Sequence, residues 1–227
     1  MHAPKVLPEN IDEVSRGTAV NNRPDLDALY APPSERIQKA VLDRLVDFHE
    51  AYLKKATFFC LATGSEHGLD ASPRGGPPGF VHVLDMHTVV FADWPGNNRI
   101  ESMRNLQRDE RLAMMFLFPG LEIFLRINGR GRVSTDPELL AELSEGKRVP
   151  KTATVVQIDE VLLHCGKAVN RAGLWKESAK VDRETLPTVG HVMASLARLA
   201  DVPTEVDAAQ IEEINVHYDH SVRNDLY

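Results

Sequence analysis

Arginines placed where predicted strands end are the residues of this chain most suited to chemistry. The turn Gly96-Asn97-Asn98-Arg99 joins a strand pattern to a helical one. Asparagine side chains order such a turn, backbone N–H groups and the positive end of a helix dipole gather there, and Arg99 adds a forked cation. That chemistry suits a phosphate. Ser72-Pro73-Arg74-Gly75-Gly76 reads as a second turn of this kind, stiffened by proline and opened by glycine to close backbone approach. A solvated surface arginine accounts for either turn taken alone. Two of them on one rim point to an anion.

Two further groups carry charge. In 121–133, period 2 puts Ile123, Leu125, Ile127, Gly129, Gly131 and Val133 on one face, and Phe124, Arg126, Asn128, Arg130 and Arg132 on the other. Same-face neighbours lie ~6.6 Å apart, so Arg126, Arg130 and Arg132 form a basic stripe. Pairing with nearby carboxylates explains that stripe as well as a ligand does. After the last strand come Lys167, Arg171 and Trp175, which could clamp a phosphate and cover a flat ring. A helix entry with a packing tryptophan is the simpler account of these three.

Other chemistries lack their residues. His217 and His220 sit three apart around Asp219, but no second ligand pair has metal spacing. No G-x-S-x-G elbow occurs, and Gly129-Arg130-Gly131 is mid-strand without a third glycine, so it is no dinucleotide fingerprint.

The elements that must position these residues follow from periodicity. Residues 1–33 hold five prolines and read as an extended arm. Ser34 as N-cap, with Ile37, Val41, Leu45, Phe48 and Tyr52, predicts one amphipathic helix ending near Lys54-Lys55. Strands are then expected at 58–63, up to Ser72, 80–84, 88–92, 112–118, 121–133 and 154–165. Asn98, with Glu101 three residues on, predicts a capping box for a short helix carrying Ile100 and Met103. Asp136-Pro137 opens another helix, and helical patterns return at 188–200 and 207–220, the latter capped by Asp207. Seven strands in one block with short turns favour an antiparallel barrel. The fold class is mainly β with peripheral helices: an arm at 1–33, a barrel domain at 34–175 and a helical extension at 176–227 packing on it.

Composition sets the outer limits. The 227 residues are 43% hydrophobic and 26% charged, which are ordinary globular values. A net charge of −7 argues against a general nucleic-acid binder. There is no apolar run of membrane-spanning length and no signal pattern at the start, so a cytoplasmic protein is expected, with Cys60 and Cys165 as buried thiols.

Taken in order, S-P-R-G-G-P-P-G-F-V from Ser72, D-W-P-G-N-N-R from Asp93, F-L-F-P-G from Phe116 and L-R-I-N-G-R-G-R-V-S-T-D-P from Leu125 resemble the pyridoxamine 5′-phosphate oxidase-like flavoproteins. More closely, the chain looks like the FMN-dependent subgroup of that superfamily whose function is mostly unassigned. The resemblance implies a six-stranded split β-barrel and a homodimer with FMN in a cleft shared between subunits. It implies that Arg74 and Arg99 meet the FMN phosphate, that Asn97 and Asn98 shape the receiving turn, and that Ala92 and Asp93 present backbone to the flavin ring. Lys167, Arg171 and Trp175 would come from the partner subunit. The chain departs from the vitamin oxidases in one respect. Where they carry Y-x-x-x-R-P-R-x-S for the substrate phosphate, this chain reads A-E-L-S-E-G-K-R-V-P from Ala141, and the R-L-H-D-R-type C-terminal segment is absent. An FMN-dependent oxidoreductase acting on another small molecule is therefore expected, with no side chain assigned as acid or base. The alternatives are a flavin or haem carrier without turnover, or a deazaflavin enzyme of the same fold.

Overall fold

Inward-facing residues of six strands meet in one main core, and a smaller cluster lies on the outer side of two of them. The computed structural model describes residues 25–199 and 207–225. It contains strands β1 (Phe58–Ser65), β2 (Gly68–Gly75), β3 (Val81–Asp85), β4 (Thr88–Asp93), β5 (Arg111–Leu117), β6 (Ile123–Ser134) and β7 (Thr152–Cys165). They form one antiparallel sheet in the order β2-β1-β5-β6-β7-β4-β3. The count is the seven that alternation gives, one more than the resemblance implies.

The sheet curls on itself. Phe59 of β1 and Phe91 of β4 stand 5.1 Å apart between ring centroids. Four strand steps separate them in the sheet, ~19 Å if it were flat. Phe59 also meets Phe80 and Phe116, at 5.6 and 5.0 Å, so one ring joins both halves of the curl. The edges β2 and β3 stay unpaired to each other, which makes the barrel split rather than closed. At Asn128/Gly129 the β6–β7 register slips, and a Cβ on Gly129 would lie 2.1 Å from the Gln157 carbonyl oxygen. Only glycine fits this bulge. Met114, Phe116 and Phe118 lie buried in this core.

Helices α1 (Leu26–Leu29), α2 (Glu35–Gln38), α3 (Asp47–Leu53), α4 (Glu101–Leu106), α5 (Pro137–Glu142), α6 (Lys167–Ala172), α7 (Val189–Leu199) and α8 (Ala208–Asn224), with short 3-10 turns at Glu177–Ala179 and Arg183–Thr185, complete the described elements. The chain divides into two compact units, Met1–Lys39 and Ala40–Tyr227. In the first, Asp25 caps α1 and Lys39 pairs with Glu35 at the end of α2; the remainder of the expected arm, 1–24, lies outside the described residues.

The single helix expected from Ser34 is broken in two. Leu42 instead exchanges backbone hydrogen bonds with Val161, at 3.0 and 2.7 Å, and the Leu45 N–H donates to the Met86 carbonyl at 2.7 Å. These three long-range backbone bonds outweigh a weak helix preference. Two of the predicted caps form here: Asp136 accepts from the N–H groups of Glu138 and Leu139, and Asp207 accepts from that of Gln210. Helix α5 covers the outer side of β4 and β7 through Leu140 and Leu143 on Val90 and Ala153. Helices α7 and α8 approach so closely at Gly190 that a Cβ there would lie 2.3 Å from the Ile211 carbonyl oxygen.

Candidate functional site

Asp70, Ser72 and Arg74 occupy alternate positions of β2 and face inward, opposite Thr63, Leu61 and Phe59 of β1. Arg74 thus lies within a strand and not in the turn that its Pro-Gly context suggested. An edge strand tolerates Pro73 because the missing N–H costs no ladder bond there. Beside it, β4 ends at Ala92 and Asp93, which pair with Ala153 and Thr152 of β7.

The connection from β4 to α4 carries the second arginine. Asn98 adopts a left-handed conformation with φ 59°, and the Asn97 side chain accepts from the Arg99 N–H at 3.0 Å. The helix consequently starts at Glu101 behind Ile100, and the expected Asn98 cap with Glu101 at the third position does not form. The left-handed residue turns the chain out of helical geometry before a cap can be made. The Arg99 side chain is 74% exposed and 3.5 Å from Glu101.

Helix α4 docks on β1 and β2 through polar contacts. The Ser102 hydroxyl donates to Asp70 Oδ2 at 2.5 Å, the Ser72 hydroxyl donates to the same oxygen at 2.8 Å, and Asn105 Nδ2 donates to Thr63 Oγ1 at 3.2 Å. The Ser102 hydroxyl holds the Asp70 carboxyl below its ordinary value, with Ser72, Arg74 and Arg99 acting in the same direction against burial. Burial pulls the Arg74 guanidinium below its own ordinary value, against the attraction of Asp93 and Asp70. Burial likewise pushes the Asp93 carboxyl up, against the attraction of Arg74 and Lys151.

A cavity of about 680 Å³ opens on the other flank of α4. Asp93, Asn97, Asn98, Arg99 and Lys151 give it a polar wall, and Trp94, Ile100, Met103, Leu106 and Val133 an apolar one. The volume is within the range that holds a cofactor-sized ligand. Asp93, Asn97, Asn98 and Arg99, four of the residues that the resemblance assigns to the cofactor, line it directly, as does Arg132 of the basic stripe; Ala92 and Arg74 do not.

Lys167, Arg171 and Trp175 are not brought to this place within one chain. They follow the far end of β7, where Cys165 pairs with Ile123. Asp93 pairs with Thr152, thirteen residues earlier on that strand (165 − 152), a path of ~43 Å at ~3.3 Å per residue. Lys167 and Arg171 lie exposed on α6, and Trp175 is tied to the β5–β6 turn.

The basic stripe resolves mostly into ion pairs. Arg130 meets Asp159 at 3.3 Å and Arg132 meets Glu110 at 2.9 Å; Arg126 keeps a buried Nε without a partner. Among the described residues no group of three His, Cys, Asp or Glu side chains could hold a metal ion, and no helix is long and apolar enough to cross a membrane. Both thiols are free, but neither is fully buried: Cys60 is half-buried, and Cys165 is exposed where it closes β7 at the sheet margin.

Sequence reasoning missed Asp70, Ser72, Ser102 and Lys151. Period 2 along 70–74 already places Asp70, Ser72 and Arg74 on one face, so that signal was available. Ser102 and Lys151 join the site only through the packing of α4 and the β4–β7 register, which no local pattern records.

The family model described as pyridoxamine 5′-phosphate oxidase matches residues 45–165, which is 121 of the 227 (165 − 45 + 1). No curated protein matches the sequence. Among solved structures, HupZ from Group A Streptococcus is similar with 16% identity over 52% of this chain and 92% of that one, at a TM-score of 0.42. The FAD binding protein from Mycobacterium smegmatis shares 15% identity over 54% of this chain and 97% of its own, at 0.38. An FMN-binding protein from Syntrophomonas wolfei shares 14% over 52% and 89%, also at 0.38. Likenesses this low carry no functional conclusion for this chain.

Proposed function

Since the chain belongs to the pyridoxamine 5′-phosphate oxidase family, we propose that it is an FMN-dependent oxidoreductase of the cytoplasm, working as a homodimer on a small molecule other than pyridoxamine phosphate. The observation that carries this reading is the convergence of Arg74, Asp93 and Arg99 beside a cavity whose wall is the Asn97–Arg99 turn.

The residues present fit such a cofactor. Arg99, with Arg74 behind it, supplies the cations for a phosphate, and the Asn97 side chain fixes the turn that bears Arg99. Ala92 and Asp93 offer backbone at the end of β4. Trp94, Met103 and Val133 give a flat ring an apolar surface that excludes water. Bound FMN would supply the electron transfer; the protein binds, orients and shields it. Lys167, Arg171 and Trp175 would complete the cleft of a second subunit.

The substrate side argues against the vitamin. In the stretch from Ala141 to Pro150 the one hydroxyl is Ser144, and it donates back to the Ala141 carbonyl oxygen at 2.7 Å. It is committed to its own helix end, and no tyrosine stands nearby in that segment to bind a second phosphate.

Titration of the purified protein with FMN, a deazaflavin and haem, followed by absorbance, tests the reading. FMN is expected to bind tightest and to be reduced and reoxidised on the protein. Selective binding of haem or deazaflavin would overturn it, and FMN binding without redox cycling would reduce the protein to a carrier.

A further inference from the structure

The two arginines read as phosphate ligands sit on different elements, Arg74 on β2 and Arg99 on the connection into α4. Something must hold those elements in register. Asp70 is four residues before Arg74 on the same inward face of β2, and Ser102 is three residues after Arg99. Their side chains meet at 2.5 Å, and the Ser72 hydroxyl adds a second donor to the same carboxylate oxygen at 2.8 Å. Ser102 Oγ also stands 3.1 Å from Ser72 Oγ, closing a triangle of three side chains. Ser102 is buried, so its hydroxyl has no water to replace this acceptor.

We propose that Asp70, gripped by Ser72 and Ser102, is a positioning residue that sets the separation of Arg74 and Arg99 for a ligand phosphate. The inference rests on the phosphate reading of those two arginines given above. It goes beyond that reading in assigning opposite consequences to the acceptor geometry of Asp70 and to its charge. As an acceptor, Asp70 ties α4 to β2 and so places Arg99 relative to Arg74. As an anion facing both arginines, it offsets the same positive field that a phosphate would use.

The two roles separate by mutation. Ser102→Ala cuts the tie and leaves the charge. Asp70→Asn removes the charge and keeps a carbonyl oxygen that still accepts from Ser102 and Ser72. FMN and riboflavin differ only in the phosphate, so the ratio of their dissociation constants isolates this corner of the site. Ser102→Ala is expected to weaken FMN roughly fivefold with riboflavin unchanged, the scale of one lost hydrogen bond. Asp70→Asn is expected to tighten FMN severalfold, again with riboflavin unchanged.

Equal losses for both flavins in Ser102→Ala would make the triangle merely structural and sink the proposal. Weakening of FMN by Asp70→Asn to the same degree as by Ser102→Ala would sink it too. A second arm measures thermal stabilisation by pyrophosphate, which is expected for the parent and Asp70→Asn proteins and diminished for Ser102→Ala. If the parent binds neither flavin but the pyrophosphate pattern holds, the FMN reading fails and the positioning role stands. If pyrophosphate gives no stabilisation either, both fall.

Discussion

The indole nitrogen of Trp175 donates to the carbonyl oxygen of Leu121 across 2.8 Å. That bond fixes the tryptophan at the turn between β5 and β6, where the Gly166 N–H also donates to the Glu122 carbonyl. Asp93 and Arg99 stand at the opposite end of β7. The Lys167–Trp175 segment and the Asp93–Arg99 turn therefore lie at opposite ends of β7, the longest strand.

A twofold dimer would bring each Lys167–Trp175 segment to the other subunit's Arg74–Arg99 cleft. Met114, Phe116 and Phe118 are buried in the subunit's own core, so they are not available to a second subunit. Mixing an Arg99→Ala chain with an Arg171→Ala chain under subunit exchange tests the shared site. Each heterodimer would carry one doubly damaged and one intact site, so flavin binding is expected to return in part. No recovery despite demonstrated exchange, or sedimentation of the loaded protein as a monomer, would rule the arrangement out.

Arg99→Ala and Arg74→Ala are expected to weaken FMN roughly tenfold to more than a hundredfold, the scale of a lost charge-assisted contact. Arg99 is largely exposed, so its loss should leave the melting temperature close to that of the parent. Arg74 is half-buried near Asp93 and Asp70, and its removal strips both carboxylates of a cation, so some loss of stability accompanies the loss of affinity. Flavin titrations beside melting curves check both. Unchanged dissociation constants would make each a surface arginine.

The strands were legible because every one has an inner and an outer face, and alternation records that directly. The core positions Phe59, Leu125 and Ile127 follow from it. The helix expected from Ser34 to Lys55 was misread because Leu42 and Leu45 satisfy their backbone against Val161 and Met86, residues far away in sequence. The same limitation hid the site's second half. Arg74 and Arg99 are visible in their Pro-Gly and Gly-Asn contexts, although Arg74 lies in a strand, whereas the tie from Asp70 to Ser102 depends on how α4 packs over β2.

Pyridoxamine phosphate and pyridoxine phosphate are expected not to be oxidised at a useful rate. Ser144 is bonded to its own helix, and neither the tyrosine nor the serine of the vitamin oxidases' run stands in place in 141–150. Oxygen-electrode assays with FMN-loaded protein check this. Turnover of either compound at about 1 per second or faster, an ordinary enzyme rate, would overturn the substrate argument while leaving the flavin site intact.

Stability should also depend on pH through His49. This side chain is 1% exposed at the third position of α3, and its Nδ1 accepts from the Val46 N–H at 3.3 Å. An accepting Nδ1 and the absence of solvent both require the neutral ring, and burial holds its pKa below the ordinary value of about 6.5. In the unfolded chain the ring takes up a proton at its ordinary value, while the folded protein resists it. The contribution is thus fully present above about pH 6.5 and is lost as the pH falls, by up to about 1.4 kcal/mol per pH unit, until the folded form protonates as well. His49→Gln keeps an acceptor for the Val46 N–H and cannot titrate. Denaturant unfolding from pH 7.5 down to about pH 5 should show a steeper decline for the parent than for His49→Gln. Parallel declines would show that His49 titrates alike in both states and that its burial has no part in acid sensitivity.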